Sequence, residues 1–436
     1  MKSVATHTLG CRLNQFETEK IAASLGEFRF TRTEFEDTAD LYIINTCTVT
    51  HKADATCRQV ISSVARRKGT AKLVVIGCYV EGAREKVASL PGVDLVVDNR
   101  EKPRIRTILR QKWPEMFTVV SDTGRSNGVS EFYNHSRAWL KISDGCNQRC
   151  SFCIIPSVRG ALRNNSAPNV IRDVQRLVDG GYHEIVLTGV HIGHFKDTVN
   201  GVADLPALIE LILTETSISR IRLSSLEPQV VDEKIIGLFS EHTDRVCRHL
   251  HLPLQSGSNR ILKSMRRPYM REQYLQSIRS LKREVPGVVI GGDVIVGFPG
   301  ESDEDFQCTV EVADSGYMDY LHVFTYSDRR GTGASEMSGK CDPRITAERH
   351  TRLREISQTR MREAHRRESG NAVEAIPENL DPHTGRYFAV TDNYLKVLLP
   401  EGLGAQKTIY RASSVRIAES NEDYLIACAH EAASVA

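Results

Sequence analysis

The 436-residue sequence predicts an α/β protein in three folded parts: an N-terminal parallel α/β sheet domain, a central partial (β/α)6 barrel, and a small C-terminal β-barrel. Three observations carry this. Strand-like apolar runs alternate with helical stretches over the first roughly 130 residues, the signature of a parallel sheet covered by helices. The alternation resumes for six more units from Arg137 to about Tyr326, and short alternating β patterns with glycine turns take over from Ala372. The expected boundaries are 1–130, 131–335, a basic helical linker 336–370, and 371–436.

In the first part the strands are expected at Ser3–Thr8, Asp40–Asn45, Lys72–Gly77 and Asp94–Asp98. Asn14 is expected to cap the helix after the first strand, with Glu17 at the capping-box offset. Cys11 follows the first strand after a short turn, Cys47 ends the second and Cys78 ends the third. Open parallel sheets hold ligands outside the carboxyl ends of their strands, so three thiols meet where a ligand belongs. Two readings are open: ligands of an iron–sulfur cluster with one iron left without a protein ligand, or buried core thiols. Cys57, inside the helical stretch HKADATCRQVISSVARRKG, reads as core.

The six barrel strands are expected near Ala138–Ile142, Glu184–Leu187, Ser219–Leu223, His249–Leu254, Val288–Val296 and Tyr320–Phe324. An eight-unit barrel needs about 250 residues, so about 190 fit an open barrel of six. Its strand ends are polar where such a barrel holds its ligand: Thr188-Gly189, Ser224-Ser225-Leu226-Glu227-Pro228, and Leu252-Pro253-Leu254-Gln255-Ser256-Gly257-Ser258. Gly291-Gly292-Asp293 enters the fifth strand, which leads into Gly297-Phe298-Pro299-Gly300-Glu301. His191, His194, His249 and His251 read as structural histidines.

Behind the barrel, residues 344–368 carry eight arginines and four glutamates. Such a face is either a solvated helix with i,i+4 pairs or an RNA contact. The β strands after it are expected at Tyr387–Thr391, Tyr394–Leu399 and Thr408–Arg411, with turns at Gly385, Gly402 and Gly404.

Composition narrows the class of function. A formal charge of +2 offers no global field for a polyanion, so any nucleic acid must be held by local patches. The start MKSVATHTLG has no apolar signal core, and no run reaches the roughly 18 apolar residues of a membrane helix, so a cytoplasmic protein without a membrane partner is expected. Eleven cysteines in a reducing compartment suggest metal rather than disulfides.

The sharpest motif is Cys146-Asn-Gln-Arg-Cys150-Ser-Phe-Cys153, a C-x3-C-x2-C loop just after the first barrel strand. Three thiolates on one tight loop hold three irons of a four-iron cluster and leave the fourth open. A structural zinc site closes with a fourth ligand, commonly from a second dyad, and none lies nearby in sequence. The loop, with Phe152 before its last cysteine, resembles the radical S-adenosylmethionine superfamily. That resemblance implies S-adenosylmethionine at the open iron, cleaved to a 5′-deoxyadenosyl radical. It carries Phe152, Thr188, Gly189, Ser225, Gln255, Ser256 and Asp293 over as cofactor contacts.

With the cysteine-bearing sheet before the barrel and a small β domain behind it, the whole chain resembles the methylthiotransferase family. Two [4Fe-4S] clusters are implied, one on Cys11, Cys47 and Cys78 and the catalytic one on Cys146, Cys150 and Cys153. Three stretches, Thr8–Glu19, Val186–Gly193 and Ser224–Pro228, are similar to the branch acting on threonylcarbamoyladenosine. The implied product is 2-methylthio-N6-threonylcarbamoyladenosine at position 37 of tRNA. The implied partners are the tRNA anticodon loop, an external electron donor and a sulfur source; sister branches act on isopentenyladenosine and on a ribosomal-protein aspartate. The family's basic stretch after the cluster loop is reduced here to Arg159-Gly160-Ala161-Leu162-Arg163-Asn164-Asn165. The terminal β domain, short for a TRAM-like RNA-binding module, implies redistributed RNA affinity.

Overall fold

The structure, a computed structural model, describes residues 2–26, 28, 30–117, 132, 135–403, 413–421 and 423–429. Contacts group the chain into two compact units. The first holds residues 1–133, 143–163 and 327–335; the second holds 134–142, 164–326 and 336–436.

The first unit is built on the apolar runs near the N-terminus. Its strands are β1 (Lys2–Thr8), β2 (Phe30–Thr33), β3 (Leu41–Thr46), β4 (Lys72–Gly77) and β5 (Leu95–Val97), all parallel in the order β2-β1-β3-β4-β5. Helices α1 (Arg12–Gly26), α2 (His51–Arg67), α3 (Cys78–Ala88) and α4 (Ile105–Lys112) cover it. Side chains alternate between the two faces of a strand. Val4, Ile43, Val74 and Ile76 accordingly pack with Leu25 and Leu109, while Tyr42, Ile44, Leu73 and Val75 pack with Cys57, Ile61 and Val64. Every residue of β3 is buried, as a central parallel strand requires. The short, polar β2 on the edge carries too little apolar pattern to stand out in the sequence.

One local expectation is overturned. α1 begins at Arg12, so Asn14 lies inside the helix rather than capping it. Its side chain turns back to the strand ends instead, donating to the carbonyls of Leu9 (2.8 Å) and Thr46 (3.1 Å).

The second unit contains all six expected barrel strands. β6 (Ala138–Lys141) opens it; the two short strands that flank the cysteine loop, β7 (Ser143–Asp144) and β8 (Arg163–Asn164), fall in the first unit up to Arg163. Then come β9 (Glu184–Thr188), β10 (Arg220–Leu223), β11 (His249–His251), β12 (Val289–Val296) and β13 (Tyr320–Thr325). They form two parallel three-stranded sheets, β6-β9-β10 and β11-β12-β13, joined by a bridge between Ile221 and Val246. The C-terminal β14 (Ala372–Leu380), β15 (Tyr387–Thr391), β16 (Lys396–Leu398), β17 (Ser413–Ser420) and β18 (Leu425–Ala429) close into a barrel in the order β14-β15-β16-β18-β17. The strand expected at Thr408–Arg411 and the turn at Gly404 lie outside the described residues.

A buried ionic cluster joins barrel and β domain within this unit. Glu184 lies against Arg137, Arg220 and Arg222. Arg222 also donates to the carbonyls of Thr391 (2.9 Å) and Asp392 (2.8 Å), and Tyr394 stacks on His249. The basic helix, Pro343–Glu368, is packed as well: Arg349 pairs with Glu301 and Asp303 at 2.7 Å each, and Arg360 pairs with Asp314 at 3.0 Å.

Candidate active site

Adjacent parallel strands end on one edge, and β1, β3 and β4 are neighbours in the first unit. Cys11 follows β1 after Leu9-Gly10, Cys47 directly follows β3, and Cys78 directly follows β4 as the first residue of α3. Gly10 has φ +100, and a Cβ built there would lie 2.7 Å from Cys47 Cβ and 3.0 Å from its Sγ. Only a residue without a side chain lets the turn pass that thiol. Burial pushes the Cys47 thiol up to about 11, and the nearby thiols of Cys11 and Cys78 add to the rise. The three N-terminal thiols therefore converge. Asn99 Nδ2 stands 3.5 Å from Cys78 Sγ.

The second triad belongs to the same unit. Gly145, at φ +73, leads into it, and a Cβ there would strike the Ala161 carbonyl oxygen at 2.1 Å. The Cys146 N–H donates to Gly160 O (3.0 Å), Leu162 N–H to Asn147 Oδ1 (3.0 Å) and Cys153 N–H to Cys150 O (3.2 Å), so the loop is clasped at its base and its end. Ala334 N–H donates to Ser151 O at 2.7 Å, adding a strap from residues 327–335. Cys146, Cys150, Phe152 and Cys153 are half-buried.

The spacing of the sulfurs tests which group fits. One tetrahedral zinc ion with bonds of about 2.3 Å would draw its sulfurs to about 3.8 Å of one another. Among the described residues no three thiols lie within 4.8 Å of one another. A four-iron cluster spreads three thiolates over three separate irons and suits this wider setting. None of the eleven cysteines forms a disulfide. Cys57 is fully buried in α2, with its thiol pushed up to about 12 by burial, which makes it an inert core thiol.

Comparison with known proteins bears on the same regions. Residues 140–313 match the radical SAM superfamily, and residues 3–98 match a family described as uncharacterized protein family UPF0004. The threonylcarbamoyladenosine tRNA methylthiotransferase MtaB of Bacillus subtilis (strain 168) is 37% identical over 97% of this chain and 95% of its own length. This chain belongs to the radical S-adenosylmethionine methylthiotransferase family. A tRNA-2-methylthio-N(6)-dimethylallyladenosine synthase of Thermodesulfovibrio yellowstonii (strain ATCC 51303 / DSM 11347 / YP87) is 30% identical over 87% of this chain and 89% of its own. The fold resembles that of the radical S-adenosylmethionine methyltransferase TsrM from Kitasatospora setae, with a TM-score of 0.54 at 13% identity over 74% of this chain and 73% of that one. Membership brings S-adenosylmethionine and a [4Fe-4S] cluster as cofactors.

The remaining residues singled out in this methylthiotransferase's sequence lie in the second unit. Thr188 ends β9 and is buried, and Gly189 follows it; Ser225 is exposed just past β10. Gln255 adopts φ +64, donates its N–H to Asp293 O (2.7 Å) and accepts from Ile295 N–H (2.9 Å), so the loop after β11 rides on β12. Ser256 is fully buried beside Thr309. Asp293 is approached by His251 Nε2 at 2.9 Å and His322 Nδ1 at 3.4 Å. Burial acts to raise its carboxyl, but the two histidines outweigh it and hold it well below the usual range. His249 and His251 both meet the Tyr320 hydroxyl, at 2.8 and 3.3 Å, and His191 meets Glu227 at 2.8 Å, in keeping with structural roles.

Sequence reasoning missed three residues here. His322 had no motif around it. Arg329 bonds Thr48 (2.7 Å) and Asp54 (2.9 Å) just beyond Cys47. Arg159, read as part of a reduced basic stretch, is buried rather than available to RNA. The cue for Arg159 was its place six residues after Cys153.

Proposed function

We propose that this chain replaces the hydrogen on C2 of N6-threonylcarbamoyladenosine, at position 37 of tRNA, with a methylthio group. What carries the reading is near-full-length identity of 37% to a relative named for that substrate, together with two separate cysteine triads. When bound, a four-iron cluster with S-adenosylmethionine supplies the carbon radical that such an unactivated ring position needs, and a second cluster supplies the methylated sulfur.

Cys146, Cys150 and Cys153 would hold the first of these groups, and Cys11, Cys47 and Cys78 the second. Cys47, Cys146, Cys150 and Cys153 are half-buried, Cys11 is exposed and Cys78 is buried, and they sit on backbone held by strand ends and by the Cys146–Gly160 clasp, so the protein's own part is to present the ligands from a fixed frame. Thr188, Gly189, Ser225, Gln255, Ser256 and Asp293 are the polar set at and near the strand ends that would receive S-adenosylmethionine, with Phe152 beside the cluster. An external reductant and sulfur source are required by the chemistry, and the anticodon loop of tRNA is the partner.

The 30% identity to a dimethylallyladenosine enzyme makes isopentenyladenosine the second candidate substrate. Reconstituted protein given S-adenosylmethionine, sulfide, reductant and tRNA carrying one or the other nucleoside separates them. Mass spectrometry of digested nucleosides should show the methylthio gain on threonylcarbamoyladenosine. A gain on isopentenyladenosine alone would reassign the substrate.

A further inference from the structure

Arg159 ends the short helix Ile155–Arg159 that follows the second triad, and its side chain is 2% exposed. It donates to Glu17 Oε1 at 3.0 Å and Asp144 Oδ1 at 3.1 Å, and its other terminal nitrogen donates to Asn14 Oδ1. Two of those partners, Asn14 and Asp144, lead to a cysteine. Asn14 holds the carbonyls of Leu9 and Thr46, just before Cys11 and Cys47. Asp144 also accepts from Gly145 N–H (2.8 Å) at the entry to Cys146. The neighbours of Arg159 extend the set: Val158 O accepts from Asn99 Nδ2 (2.7 Å), the same nitrogen that stands at Cys78, and Gly160 O accepts from Cys146 N–H. Lys102, buried, also pairs with Glu17, at 2.6 Å.

One buried guanidinium thus ties the strand ends carrying the first triad to the loop carrying the second. Burial disfavours its charge, but Glu17, Cys78, Asp144 and Cys11 all favour it, so the thiols of the first triad lie within its electrostatic reach. We propose that Arg159 is a positioning residue for both cysteine triads, fixing the loop on the Cys11, Cys47 and Cys78 edge and presenting a buried cation to the cofactor held there. This rests on the reading that those three cysteines carry a second four-iron cluster. Adding one electron to that cluster adds negative charge, which a guanidinium in a low-dielectric setting stabilises. Arginine suits the place because its planar fork serves two carboxylates and an amide together, which the single ammonium of lysine does not.

The test uses full-length reconstituted protein with the variants Arg159→Gln, Arg159→Lys and Glu17→Gln. Iron is counted first. Then a redox titration followed by electron paramagnetic resonance is run with Cys146, Cys150 and Cys153 replaced by alanine, so that only the N-terminal cluster contributes. Arg159→Gln should make that cluster harder to reduce by about tenfold, about 59 mV for one electron. Glu17→Gln should shift it the opposite way, a reversal that general loosening does not produce. Arg159→Lys should keep the potential but, with all cysteines present, lower the methylthiolated product made per S-adenosylmethionine cleaved. An unshifted potential in iron-replete Arg159→Gln, shifts of the same sign in both charge variants, or parental coupling in Arg159→Lys would each overturn the proposal. A parent holding about four irons would overturn the two-cluster reading instead, whereas about eight irons with no shift defeats only the role of Arg159.

Discussion

Arg222 donates to both oxygens of Glu184, Nε to Oε1 at 2.7 Å and Nη2 to Oε2 at 3.1 Å, and both side chains are fully buried. Arg220 at 3.0 Å and Arg137 at 3.4 Å share the same carboxylate. Changing Glu184 to Gln leaves three buried guanidinium groups without their common counter-charge. Breaking a buried pair in this way costs about 3–5 kcal/mol. Chemical denaturation should show that loss; a change below about 1 kcal/mol would mean that Glu378, which pairs with Arg137, and Asp392, beside Arg222, supply the counter-charge instead of Glu184.

The two cysteine triads should separate two activities. Replacing Cys146, Cys150 and Cys153 with alanine should remove about half of about eight irons and all cleavage of S-adenosylmethionine. Replacing Cys11, Cys47 and Cys78 should leave cleavage measurable while abolishing methylthiolation. Product from the N-terminal triple variant would reduce those cysteines to core thiols.

Gly10→Ala probes the same edge without replacing a ligand. The new Cβ would sit 2.7 Å from Cys47 Cβ at a φ of +100, strain worth about 1–3 kcal/mol. Relief by moving Cys47 should lower reconstituted iron towards about four per chain while sparing S-adenosylmethionine cleavage. Full iron loading in the variant would show that Cys47 is not fixed by this contact.

How much of this was legible in the sequence follows from the range of the signal. Strand ends are local, so the β-branched runs before Cys47 and Cys78 located both thiols, and the barrel strands were found by the same pattern. The edge strand Phe30–Thr33 was missed because four residues, two of them threonine, carry no periodicity. Arg159 was misread because an arginine beside glycine near a surface-like loop resembles a solvated charge; its burial depends on Glu17, 142 positions away. The Asp293–His251–His322 set likewise exists only once β11, β12 and β13 lie side by side. Asn14 fitted a helix-cap pattern, but tertiary bonds to Leu9 and Thr46 outcompeted it.

Asp305 makes a prediction in pH. It caps the helix Asp303–Ala313 through Ser302, accepts from Ser258 Oγ at 2.6 Å and pairs with Arg260. Burial acts to raise its carboxyl, but Arg260, Ser258 and Ser302 outweigh that and bring it down to about 2. A carboxyl lowered on folding from about 3.9 stabilises the fold at neutral pH and loses that contribution as pH falls through the folded value. Asp305→Asn should therefore unfold at lower denaturant than the parent at pH 7, with the gap closing between about pH 4 and pH 2. A gap independent of pH would assign the effect to shape rather than charge.

The basic helix Pro343–Glu368 holds its arginines in two ways, and the division predicts where tRNA is gripped. Arg349, Arg360 and Arg367 are committed to Glu301, Asp303, Asp314, Glu363 and Asp319. Arg344, Arg352, Arg354 and Arg366 are exposed and, among the described residues, make no ion pair. At a net charge of +2 the molecule has no overall field for a polyanion, so local, unpaired cations of this kind are what phosphates would meet. Removing one cation that binds a phosphate flattens the dependence of log affinity on log salt by roughly 0.7–0.9. Changing those four arginines to glutamine should weaken tRNA binding at low salt and reduce the slope by up to about 3.6, while uncoupled cleavage of S-adenosylmethionine persists, since no cluster ligand lies on the helix. Changing Arg360 and Arg367 should instead lower stability and leave the slope alone. If the outward set leaves affinity and slope unchanged, the helix is a structural brace and the anticodon stem is held by other surfaces.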